Sequence, residues 1–167
     1  KVIENGIPKM VHVDLTGKEK DGMICGGVAT VYIEAIVPKS TLFIIGAGHI
    51  AFYLSRMAKM VDFRVAVSDN RPEYATLERF PDADEIFADE YDKIFPNLPV
   101  GASSFIVIVT HGHAHDQIAL EWALTTKARY IGMIGSRKKT RQVFDNLIAR
   151  GFSGEDIEKR VYSPIGL

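Results

Sequence analysis

Thr41-Leu-Phe-Ile-Ile-Gly-Ala-Gly-His-Ile-Ala51 is the stretch from which the fold of this chain can be laid out. A β-branched and aromatic run, Leu42 to Ile45, empties into Gly46-x-Gly48-x-x-Ala51, and an amphipathic segment follows at once. Strand, glycine turn and helix in that order make a dinucleotide-type fingerprint. The first glycine permits the tight turn, the second lets backbone approach a pyrophosphate, and a small third residue lets the helix pack close to the strand. A phosphate would sit on the unpaired N–H groups at the helix N-terminus, where the macrodipole also favours negative charge. The plain alternative is a close-packed strand, turn and helix with no ligand.

Downstream, Ile50, Leu54, Met57, Ala58 and Val61 recur at helical spacing, which predicts a helix over His49 to Met60 with that stripe buried. Phe63 to Ser68 reads as the next strand and ends at Asp69, where a ribose-binding acid belongs, although Arg71 just behind it would also suit a phosphate. After a loop from Pro72 to Phe80, Asp84 to Ala88 reads as an edge strand. The apolar run Ser104 to Val109 reads as a parallel strand covered on both faces. A helix through Ile118, Ala119, Trp122 and Ala123 follows, then a strand over Tyr130 to Ile134. A helix over Ser136 to Arg150 turns Val143, Phe144, Leu147 and Ile148 inward. Ser153 with Asp156 marks the N-cap of a short helix, and Val161 to Leu167 returns as a strand or extended tail. Alternating strands and helices specify an α/β fold, a Rossmann-like doubly wound parallel sheet with strand order 3-2-1-4-5.

Upstream, residues 1–38 read as a small N-terminal β appendage and 39–167 as the cofactor-binding domain. Met10 to Leu15 and Ala29 to Val37 alternate apolar and polar residues and could pair as a hairpin. Between them the glycines of Asp21-Gly-Met-Ile-Cys-Gly-Gly27 suggest a bend that exposes Cys25 beside free backbone amides. Pro38, Lys39 and Ser40 punctuate the passage into the main domain.

With 167 residues, formal net charge −1 and 47% hydrophobic residues, the composition suits one sizeable core plus a small appendage. Near-neutral charge argues against nucleic-acid binding. No apolar run approaches the roughly 18 to 20 residues that cross a bilayer, so a cytoplasmic protein without membrane partners is expected. One cysteine excludes an intramolecular disulfide and a multi-cysteine zinc site. The beginning at Lys1 and the end at Leu167 suit a piece of something longer.

In an open α/β sheet, ligands sit beyond the carboxyl ends of the strands. Four such ends should converge: Gly46 to His49, Asp69 to Arg71, Thr110 to Asp116 and Gly135 to Lys139. His49, His111, His113 and His115 fall there. His111, His113 and His115 could bind a metal only from an extended segment; a helix starting near Gly112 would scatter them and leave polar ligand contacts or a proton carrier. Asp116 reads equally as a helix-start acid or a ligand contact. At Gly135-Ser-Arg-Lys-Lys-Thr-Arg141 four cations crowd a helix start that is already partly positive. A phosphate on Ser136, Arg137 and the helix amides would turn that arrangement favourable; the alternative is a solvated basic face. The Ser-x-x-x-Tyr-x-x-x-Lys catalytic pattern of one dehydrogenase class is absent from the sequence.

Taken in order, Gly22-Met-Ile-Cys-Gly-Gly27 with Ile33-Glu34, Gly46-Ala-Gly-His-Ile50, Asp69-x-Arg71, Phe80-Pro-x-Ala-Asp84, Thr110-His-Gly-His-x-x-Asp116, Tyr130-Ile-Gly-Met-Ile-Gly-Ser-Arg137 and Ser163-Pro-Ile-Gly-Leu167 resemble the XdhC/CoxI family. These accessory proteins mature xanthine dehydrogenase and related molybdenum hydroxylases. The resemblance covers nearly the whole chain from Asp21 onward. It implies a molybdenum cofactor chaperone that binds molybdopterin while a cysteine desulfurase exchanges a molybdenum oxygen for sulfur, then hands the cofactor to the apo-hydroxylase, and that need not turn over a substrate itself. It further implies that Gly46, Gly48 and the Ser136-Arg137 turn hold phosphate, that Asp69 and His111 hold the polar rings, and that Cys25 approaches the metal. His49, Arg71, His113, Asp116 and Gly135 complete the expected cofactor-binding set. Two readings compete with this one: an NAD(P)-dependent oxidoreductase, supported by Asp69, and a nucleotide-sensing regulatory domain. The edges of the β appendage could also pair two copies as a homodimer.

Overall fold

A computed structural model describes residues 7–14, 27–35 and 39–166. Cys25, Asp21 and the charged turn around residues 16–22 lie outside the described residues. The chain divides into two compact units, and the second begins at Lys39.

In the first unit, β1 (Lys9–Asp14) pairs antiparallel with β2 (Val28–Ile33), with Met10 opposite Tyr32 and Val11 opposite Val31. The hairpin read from alternation is therefore present, and its second strand stops at Ile33.

The second unit carries β3 (Thr41–Ile45), α1 (His49–Met60), β4 (Arg64–Asp69), β5 (Glu85–Ala88), α2 (Tyr91–Ile94), a 3-10 turn (Phe95–Asn97) and β6 (Ser104–Ile108). It continues through α3 (His113–Thr125), β7 (Tyr130–Met133), α4 (Arg137–Ala149), α5 (Gly154–Arg160) and β8 (Val161–Tyr162). The six strands run parallel in the order β5-β4-β3-β6-β7-β8. The expected order holds, and Val161–Tyr162 adds a sixth strand beside β7.

Period-two alternation along β3 explains why this strand is central. Phe43 and Ile45 point into one core with Ile106, Ile108, Leu120 and Leu147. Leu42 and Ile44 point into the other with Val65, Val67, Ala51 and Phe80. The sheet is covered on both faces, so its strands are almost continuously apolar.

Two helix faces differ from expectation. In α1 the buried residues are Ala51, Ser55 and Ala58, whereas Met57 is 63% and Val61 67% exposed. Small side chains let the helix axis approach the sheet, so the large residues are turned to its flank. There Ile50, Leu54 and Met57 border an apolar groove with Val107, Val109 and Ile165. In α4 the buried residues are Thr140, Val143 and Leu147; Phe144 is half-buried and Ile148 exposed. The i, i+3, i+7 row that meets the sheet is one position round from the apolar centre of the sequence. Ser153 caps α5 as expected, its Oγ accepting from the Asp156 N–H at 3.3 Å.

Candidate functional site

The glycine turn at the end of β3 is held from both sides. Gly46 has φ +108°, and its N–H donates to the Ser68 carbonyl at 2.6 Å. A Cβ there would lie 2.5 Å from the Val109 carbonyl oxygen, so only glycine allows β3 to turn this close to β6. Ala51, the small third residue of the fingerprint, is completely buried. The amino end of α1 has no side-chain cap and no acid in its first turn. Its first N–H groups are left for solvent or a ligand.

Beside that end lies a crevice of about 410 Å³. Gly48, His49, Arg71 and His111 line it, as the sequence suggested, and so do Tyr74, Arg79 and Thr110. The ends of β3, β4 and β6 thus converge there. The β7 end contributes Ile134 to the lining.

Asp69 is turned inward. Its carboxylate has no exposed surface; Oδ2 accepts from the Ala47 N–H at 2.7 Å and from Arg71 Nη2 at 3.0 Å. Oδ1 accepts from the Arg71 N–H at 3.0 Å and Arg71 Nε at 2.9 Å. Burial by itself raises its pKa, but the Arg71 guanidinium and the Ala47 and Arg71 amides outweigh it and hold the group below the usual carboxylate value. Asp69 organises the turn and orients Arg71 from beneath the crevice. Nearby, burial and the Asp69 charge push the Tyr91 phenol well up, so it stays neutral.

Asp116 is likewise internal. It is fully buried, accepts from Thr110 Oγ1 at 2.7 Å and forms an ion pair with Lys139. Gly135 makes room for this: a Cβ there would stand 3.0 Å from Lys139 Cδ. The basic turn is therefore divided among different tasks. Lys139 neutralises Asp116, and the Ser136 hydroxyl accepts from the Lys139 N–H at 3.2 Å as the N-cap of α4. Arg137 lines a separate cleft of about 280 Å³ with Thr140, Arg141 and Ser163. Lys139→Met should cost about 2 kcal/mol in urea unfolding by leaving a buried carboxylate with a single hydroxyl donor. An unchanged midpoint would show the pair to be unimportant.

The helix α3 begins at His113, so the three alternating histidines do not share one face. His111 and His113 are exposed; the rings of His111 and His115 stand 4.8 Å apart, and His115 Nδ1 is buried without a hydrogen-bond partner. No group of three metal-ligating side chains occurs among the described residues. No described helix is long and apolar enough to cross a membrane.

Tyr74 and Arg79 were missed because the loop from Pro72 to Phe80 reads as a connector. The signal available was a pair of arginines flanking an aromatic directly after the fingerprint acid. In the structure the Arg71 guanidinium lies 3.9 Å from the Tyr74 ring centroid and that of Arg79 5.2 Å from it.

Residues 42–167 match the profile described as the XdhC Rossmann domain. The chain is 30% identical over 136 residues to a probable xanthine dehydrogenase subunit of Bacillus subtilis (strain 168), a match covering 81% of this chain and 39% of that protein. It is 27% identical over 176 residues to the uncharacterized protein YqeB of Escherichia coli (strain K12), covering 99% of this chain and 32% of the relative. A crystal structure of a xanthine dehydrogenase from Bacillus halodurans superposes with a TM-score of 0.68 at 31% identity, over 89% of this chain and 42% of that one. The chain thus spans 32% to 39% of the length of these curated relatives.

Proposed function

This chain belongs to the XdhC family, and from that premise we propose that its crevice holds molybdopterin for delivery to a xanthine dehydrogenase-type apoenzyme. The observation that carries the reading is the inward burial of Asp69 under a crevice lined by His49, His111 and two arginines. A nicotinamide dehydrogenase needs an exposed acid for a ribose diol and a hydride-transfer set beside it. Here the acid is internal. A phosphate-bearing pterin instead asks for cations, an open helix end and neutral or cationic ring contacts, all of which this crevice offers.

The residues fit the phosphate and pterin portions of such a cofactor. Gly48 lets the ligand approach the first turn of α1, and His111 lines the same crevice with an imidazole. When bound, the cofactor carries the metal-dithiolene centre on which the client enzyme's chemistry depends. On this reading the protein is an accessory factor more than a catalyst, acts in the cytoplasm, and works with a cysteine desulfurase. A homodimer is one arrangement in which the transfer could take place.

Native mass spectrometry of the full chain mixed with molybdopterin, NAD(P) and free nucleotides tests the proposal. A molybdopterin complex is expected, with His111→Ala weakening it about tenfold through the loss of a ligand hydrogen bond. Tight NAD(H) binding with hydride transfer, and no uptake of molybdopterin, would establish the oxidoreductase reading instead.

A further inference from the structure

Two arginines line the crevice, and among the described residues neither an aspartate nor a glutamate does. Asp69 balances only Arg71, from below, and engages Nε and Nη2 of that guanidinium. Of the five N–H donors a guanidinium carries, the remainder of Arg71's, Nη1 included, are not used by Asp69. Arg79 has no carboxylate partner among the described residues. Its Nη2 reaches the Ala47 carbonyl at 3.4 Å, and its Nε is buried with no hydrogen-bond partner. A guanidinium that lines a crevice without a carboxylate partner leaves N–H donors to water or to an anionic ligand. The Tyr74 ring lies against both guanidinium groups, and the Ala47 contact ties Arg79 to the glycine turn.

We propose that Arg71 and Arg79, both packed against the Tyr74 ring beside the open end of α1, form a seat for a dianionic phosphate monoester. The crevice then selects ligands that end in this group over ligands that end in a bare hydroxyl or ribose diol. The proposal rests on the reading of this crevice as the ligand site and names the group it discriminates. A monoester brings a charge near −2 and three acceptor oxygens, which match two forked donors and the uncapped amides of α1. A diol brings no charge and needs an exposed acceptor, which the buried Asp69 does not supply. The same seat suits the phosphate of a reduced pterin and the 2′-phosphate of a dinucleotide, because both are phosphate monoesters of an alcohol. It also displaces the phosphate from the α4 turn, where the Ser136 hydroxyl already caps the helix and Lys139 is paired.

The test uses two ligand pairs, each differing by one phosphate monoester, titrated into the full chain. One pair is NADP+ and NAD+. The other is the stable oxidised pterin obtained from molybdopterin, with and without its phosphate. In wild type the phosphorylated member of at least one pair should bind about tenfold tighter or more, and the pair that discriminates identifies the source. Arg79→Gln should reduce that preference to within about threefold, and Arg79→Lys should restore part of it as a point charge. Should Arg79→Gln fail to fold, raising sodium chloride in wild type should erode the preference instead. Equal affinity within both pairs, or a preference that survives Arg79→Gln and high salt, overturns the seat. Pterin binding with no phosphate discrimination in either pair overturns the seat and leaves the proposed function standing. Discrimination between the dinucleotides with no pterin binding keeps the seat and overturns the molybdopterin reading.

Discussion

Gly46→Ala should remove on the order of 3 to 5 kcal/mol of stability and most ligand binding, the largest effect expected of a single methyl group in this chain. The glycine sits at φ +108°, a conformation that side chains with a Cβ rarely adopt. The added carbon would also lie 2.5 Å from the Val109 oxygen, 2.7 Å from the Val109 carbon and 2.8 Å from Thr110 Cα, all backbone. A backbone neighbour cannot rotate aside, so β3 would have to separate from the end of β6 or the turn would have to leave the Ser68 carbonyl. Because domains are stable by only about 5 to 15 kcal/mol, the melting midpoint should fall by roughly 10 °C or more. Gly48→Ala is the internal comparison. A Cβ at that position meets nothing within 4 Å, and its φ of −75° is ordinary. Gly48→Ala should melt within a few degrees of wild type and weaken only the approach of a ligand to the α1 amides. Equal melting points for the two variants would remove the steric account of the turn.

Asp69→Asn should cost about 3 to 4 kcal/mol near pH 7, because it strips the charge from a buried pair and turns an amide N–H toward donors that need an acceptor. Its pH dependence has a definite sign. Asp69 has a folded pKa below the ordinary value of 3.8, since the Arg71 guanidinium and two amides outweigh the burial that would raise it. A carboxyl with a depressed folded pKa contributes stability that is fully present above its unfolded pKa and is lost as pH falls through the folded one. The stability gap between wild type and Asp69→Asn should therefore be flat above about pH 5 and shrink below about pH 4. Urea unfolding at a series of pH values measures it. A gap that stays constant to pH 3, or that is absent at pH 7, would show that Asp69 does not organise the turn. The same variant should loosen Arg71 and with it the crevice, linking stability to binding through one carboxylate.

The contrast between Asp69 and Arg79 shows where local reading stops. That an acid follows the second strand is visible in sequence, and so is its distance from the glycine turn. Whether its carboxylate faces a ligand or the Ala47 amide depends on how closely β3 and β4 pair and where Arg71 folds back. Arg79 sits ten residues beyond the strand end, in a loop with no period to read, and reaches the crevice only because that loop packs over the face bearing Phe80. The histidines behave in the same way. Their clustering was legible, but only the start of α3 at His113 sets the His115 ring 4.8 Å from that of His111, and a helix start is a matter of a single turn.

The family motifs, the alternation of strands and helices and the Gly46-x-Gly48-x-x-Ala51 turn are local patterns, so the chain determines them by itself. Each depends on near-neighbour sterics and on apolar periodicity of two or 3.6 residues. Which side of α1 meets the sheet, which cations of the α4 turn stay free, and which acids are exposed were decided only in the tertiary structure. Those outcomes turn on competition among groups far apart in sequence. Lys139 meets Asp116 across 23 residues, and Asp69 meets Ala47 across 22. Burial makes an unpaired charge too unfavourable to keep, so partners found in space, and not the charges counted along the chain, settle what remains to bind a ligand.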